Sequence, residues 1–72
     1  MSVVKVLELV GESRHGFQDA VEQAVKRACQ TVDGISGVEV VNLTADVDGE
    51  DIVEYKANIK VAFAVKTPKA HL

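Results

Sequence analysis

The run DVDGED, residues 46 to 51, places Asp46, Asp48 and Asp51 around Gly49. Carboxylates grouped at a glycine turn are the raw material of a calcium loop. The full loop pattern also requires a distal glutamate at a fixed spacing, and that is absent. A hairpin turn accounts for the same residues, and a calcium site at Asp46, Asp48 and Asp51 would need completion by another subunit. Cys29 is the single cysteine, with no base near it in sequence, so a packed or half-exposed thiol describes it better than a nucleophile. His15 falls in the first turn of a predicted helix, where a surface role is the default and contact with a ligand phosphate is the functional alternative. Lys56, Asn58 and Lys60 alternate along a strand pattern. They read as its polar face, a face that in an assembly could also line a pore or a ligand pocket. Nothing gathers a nucleophile, a base and an oxyanion hole, so no catalysis is expected. His15, His71 and Cys29 are too scattered to make a metal cluster.

The elements that must position these residues follow from periodicity. VVKVLELV, residues 3 to 10, is rich in β-branched and aliphatic residues and reads as a strand closed by Gly11. Ser13 is the expected N-cap of a helix. From there Phe17, Val21, Ala24, Val25, Ala28 and Val32 recur at spacings of three and four, which places them on one helical face. Gly34 is expected to cap that helix in a left-handed conformation. The second strand, residues 38 to 47, has a fault in its alternation. Val38 and Val40 share one phase, while Val41, Leu43, Ala45 and Val47 share the other, so a bulge or a change of buried face is predicted between them. Asp48-Gly49 marks a hairpin turn. A third strand from about Ile52 to Val65 points Tyr55, Ala57, Ile59, Val61, Phe63 and Val65 one way, and Glu54, Lys56, Asn58 and Lys60 the other. Pro68 then breaks the pattern, and residues 67 to 72 read as a frayed tail behind a domain of residues 1 to 66.

The predicted fold is therefore α+β, with strand, helix, strand, strand in order and three strands on one helix. At 72 residues the chain is one small domain, a size that is marginal without a staple. One cysteine excludes a disulfide within the chain, which leaves oligomerisation. The composition agrees: 47% hydrophobic residues offer more apolar surface than one short helix can cover. The net charge of −3 argues against a nucleic-acid partner, and no apolar run is long enough for a membrane partner. A cytoplasmic location is expected.

Taken together, KVLELVGES before the helix, AVEQAVKRACQTVD within it, VEVVN in the second strand and YKANIKVAFAV in the third resemble the dodecins. The resemblance covers the chain up to Val65. It implies a β-α-β-β subunit whose antiparallel sheet wraps one helix, twelve copies closing into a hollow homododecamer of cubic symmetry. It further implies flavin binding (riboflavin or FMN, in stacked pairs between subunits) for storage or quenching, with coenzyme A as a further ligand of some members. The family's stacking tryptophan lies two residues before the glutamate of the EVV run, and its ring-edge glutamine follows the tyrosine of the third strand. Those places are Gly37 and Lys56 here, so Gly37, Val38 and Lys56 are the flavin-site positions, with weakened or altered affinity. Some relatives without the tryptophan bind calcium, which makes a calcium-binding or purely structural shell the alternative.

Overall fold

The computed structural model describes residues 3–65. The tail predicted for residues 67 to 72 lies outside them. Strand β1 runs Val3–Ser13, helix α1 Phe17–Thr31, strand β2 Ile35–Asp48 and strand β3 Asp51–Val65. The sheet is antiparallel in the order β1-β3-β2, so the last strand lies in the middle and the hairpin partner β2 takes one edge. The α+β prediction and the element order are observed.

Cross-strand register fixes the two faces. Leu7, Leu9 and Gly11 of β1 stand opposite Val61, Ile59 and Ala57 of β3. This side meets the helix through Ala20, Ala24 and Ala28, and these with Ala57, Ile59 and Val61 form the buried core. Three alanines at intervals of four make a smooth stripe that lets the helix lie close to the sheet. Ala20 extends this stripe one turn before Ala24, outside the apolar positions that periodicity singles out, and Val21 and Val25 flank it half-buried. The helix packs on β1 and β3 and barely touches β2. Val38, Val40 and Leu43 therefore remain 46%, 44% and 46% exposed, even though they share the core-facing side of the sheet.

Several local expectations change. Gly11 does not close β1; the strand continues to Ser13, and Gly11 is the point where the helix crosses it. A Cβ there would stand 2.0 Å from the carbonyl oxygen of Ala20 and 2.9 Å from the Ala24 Cβ, so only glycine fits. Ser13 is not the N-cap. Gly16 holds that position without a side-chain bond, and His15 precedes the helix rather than lying in its first turn. The helix ends at Thr31, shorter than the sequence pattern suggests, with the Val32 amide donating to the Ala28 carbonyl at 2.9 Å. Gly34 does take a left-handed φ of 74°, but two residues beyond Val32, where it turns the chain into β2.

The predicted fault in β2 is real. Pairing steps from Val40 opposite Ile59 to Asn42 opposite Asn58, leaving Val41 as a bulge that reconciles the two phases. A second irregularity leaves Ser36 unpaired between Ile35 and Gly37, so β2 begins three residues earlier than its alternation implied. Gly49 and Glu50 form the two-residue hairpin loop; only Gly49 has positive φ, 66°, which suits a type II′ turn.

Candidate functional site

The face of the sheet away from the helix is built from rows that cross all three strands. Val6, Ala62 and Gly37 form one row, Glu8, Lys60 and Glu39 the next, then Val10, Asn58 and Asn42, then Glu12, Lys56 and Thr44. Directly opposed residues on an antiparallel pair keep their Cβ atoms about 5 Å apart, so each row is a contiguous strip. The first row and the Lys60-Glu39 part of the second floor a groove of about 410 Å³ lined by Val6, Gly37, Val38, Glu39, Lys60, Val61 and Ala62.

Gly37 opens this groove. A Cβ at that position would meet nothing within 4 Å, and its φ is not positive. Gly37 is thus not required by the backbone, unlike Gly34 with its left-handed φ, and its effect is the space it leaves. Among the described residues, no aromatic side chain lies on this face. Phe63 stands opposite Lys5 and Ile35 on the core side, and Tyr55 packs edge-on against Phe17, ring centres 5.0 Å apart, tying β3 to the helix start.

Gly37 and Val38 both border the groove, although the Val38 side chain stands on the core-facing side of the sheet, and Lys56 lies elsewhere. Two rows beyond the groove, Lys56 Nζ stands 3.3 Å from Asp46 Oδ2 and 3.9 Å from Glu12 Oε2. The hydrogen bond and charge of Asp46, with Glu12 and Glu54 nearby, raise its pKa. Lys56 thereby ties all three strands together, and its ammonium is already engaged by two carboxylates. Lys60 is the cation at the groove, a residue that sequence alone shows only as one member of a polar strand face. Its signal in the sequence was its phase, the same as Lys56, but which lysine meets Gly37 depends on strand register.

Asp46, Asp48 and Asp51 surround the hairpin loop. Asp48 opposes Asp51 and Asp46 opposes Glu54 in the ladder. Among the described residues, no group of three His, Cys, Asp or Glu side chains is placed to hold a metal ion. Cys29 is exposed on the helix. The Asn58 Oδ1 atom, in the row between Lys56 and Lys60, is buried without a hydrogen-bond partner. Near the helix start, Ser13 Oγ donates to Asp19 Oδ2 at 2.6 Å and accepts from the His15 amide at 2.9 Å. The hydrogen bond from Ser13 lowers the Asp19 pKa most, followed by that from Gln23. This Ser13-His15-Asp19 cluster ties the end of β1 to the first turn of α1. No helix among the described residues is long and apolar enough to cross a membrane.

Comparison with known proteins agrees with this architecture. The dodecin family model matches residues 3–66. The calcium dodecin of Mycobacterium tuberculosis is 32% identical over 66 residues, 92% of this chain and 93% of that protein. Its crystal structure, described as calcium-chelating with a novel calcium-binding site, superposes with a TM-score of 0.78 at 30% identity, covering 99% of both chains. A dodecin of Thermus thermophilus is 30% identical over 64 residues, 89% of this chain and 93% of the relative. The structure of a Streptomyces coelicolor dodecin gives a TM-score of 0.87 at 27% identity, covering 93% of this chain and 96% of that one. With the strand order, the helix placement and nearly the whole length in common, the chain belongs to the dodecin family.

Proposed function

We propose that this protein is a non-catalytic binding and storage module, assembled as a homododecameric shell, whose groove takes a flavin (riboflavin or FMN) with weakened affinity. Its place of action is the cytoplasm. The observation that carries this reading is the groove at Gly37, open and free of aromatic side chains, on the face opposite the helix. The family's flavin-stacking tryptophan maps to Gly37, so the missing side chain and the empty space coincide. An indole covering one ring face would bury on the order of 100 Å². With the stacking preference this is about 3 kcal/mol, or roughly two orders of magnitude in Kd.

A riboflavin fluorescence titration tests the proposal. Weak quenching by the wild type and quenching at roughly hundredfold lower concentration by Gly37→Trp is the expected result. The substitution should fold, because nothing stands within 4 Å of its Cβ. Absence of quenching by both proteins would overturn the flavin reading and turn the search to coenzyme A.

The calcium reading is favoured by the kinship with calcium dodecin and by the acidic hairpin. It demands that carboxylates of several subunits converge, since Asp46 is engaged by Lys56. Calorimetric titration with calcium, repeated on Asp48→Asn, decides it: heat that disappears in the variant supports a site at the hairpin.

A further inference from the structure

We infer that the groove recognises a neutral planar heterocycle through an edge that presents an N–H beside a C=O, with Lys60 and Glu39 as the reading pair. The inference rests on the ligand-binding role proposed for that groove and names the chemistry it selects.

Lys60 and Glu39 are direct cross-strand partners, and both line the groove beside the Val6-Ala62-Gly37 row. A lysine offers donors only and an ionised glutamate acceptors only. Held side by side, they match a lactam or imide edge, the lysine donating to its carbonyl and the glutamate accepting from its N–H. Lys60 is available for this. Among the described residues it makes no ion pair, whereas Lys56 is held by Asp46 and Glu12. The apolar row next to the pair supplies the flat surface on which a ring can lie.

Charge sets the second half of the selection. Glu8 stands on the other side of Lys60, so the row carries two carboxylates and one ammonium. A ligand phosphate, with its charge of about −1.5 to −2 at neutral pH, meets a net negative strip. At a separation of about 8 Å in a water-exposed groove the repulsion weakens binding about fivefold. The groove therefore favours the unphosphorylated member of a flavin pair.

Fluorescence titrations of riboflavin, FMN and N3-methylriboflavin against the assembled protein, in wild-type and Gly37→Trp backgrounds, test this. Riboflavin is expected to bind about fivefold tighter than FMN. The methylated ligand, which has lost the imide donor to a charged acceptor, should bind at least tenfold more weakly than riboflavin. Lys60→Met and Glu39→Gln should each weaken riboflavin, and Glu39→Gln should also remove the preference against FMN; Lys26→Gln, on the helix, should do neither. Equal affinity for the three ligands, or unchanged riboflavin binding in Lys60→Met, would overturn the assignment while leaving the flavin role intact. Absence of quenching by all three ligands in both backgrounds overturns the flavin role and this assignment together.

Discussion

Ser13 shows how much one side chain does in so small a domain. It is only 7% exposed, its hydroxyl donates to the Asp19 carboxylate, and it accepts from the His15 amide. Through these two bonds the last residue of β1 holds the bend that leads into the helix, the task a capping side chain would perform one turn later. The charged form of Asp19 is favoured chiefly by the Ser13 hydroxyl, which sets the pH dependence. A carboxyl whose folded pKa lies below its ordinary 3.8 stabilises the fold above that value, and the contribution is lost as pH falls through the folded pKa. Ser13→Ala is therefore expected to unfold at lower temperature than wild type at neutral pH. The gap should narrow as pH is taken well below 3.8, leaving the pH-independent cost of the unpaired His15 amide. Thermal unfolding across that range measures it, and a gap that stays constant would mean the Asp19 bond contributes nothing.

At the scale of elements, the contact between α1 and β1 sets the thickness of the subunit. The alanine stripe of the helix and the absent side chain of Gly11 let the two backbones approach until a Cβ at Gly11 would overlap the Ala20 carbonyl. That obstacle is helix backbone, so it cannot rotate aside. Gly11→Ala should cost about 1–3 kcal/mol by forcing the helix off the strand, read as a lower urea midpoint. Gly37→Ala, with open space and unexceptional φ, should leave the midpoint within about 0.5 kcal/mol of wild type. The contrast shows what could be read from sequence. The phase fault between Val40 and Val41 announced a bulge or a change of buried face, because a strict period of two admits neither phase throughout, and the register resolves it as the bulge. Asp48-Gly49 announced the hairpin for an equally local reason. Gly11, by contrast, looks like punctuation in the chain, and its real role is created by a helix that packs on it from later in sequence. The groove divides in the same way. The place of Gly37 beside it follows from position in the second strand, while the separation of Lys56 from Lys60 depends on register with β1 and β2, which periodicity does not specify.

The whole chain is extended for its length. Its radius of gyration is 15.7 Å, against about 11 Å for a compact domain of this length, and its longest dimension is 61 Å. The helix has 15 residues and covers about 22 Å, so it shields only part of two strands. What remains uncovered lies on both sides of the sheet. Val38, Val40 and Leu43 are on the core-facing side beyond the helix, Val6 and Val10 on the other, and Val47, Ile52 and Val53 near the hairpin end. Apolar surface distributed in this way is the kind that several neighbouring copies cover, which the proposed shell would supply and a simple dimer would not. Folding should then be linked to association, and stability should depend on protein concentration. Light scattering should find no monomer at micromolar concentration. Dilution should lower the unfolding midpoint, and Val38→Lys should dissociate the proposed shell and unfold the chain together. A folded, monodisperse monomer, with a midpoint independent of concentration, would show that three strands and one helix suffice after all.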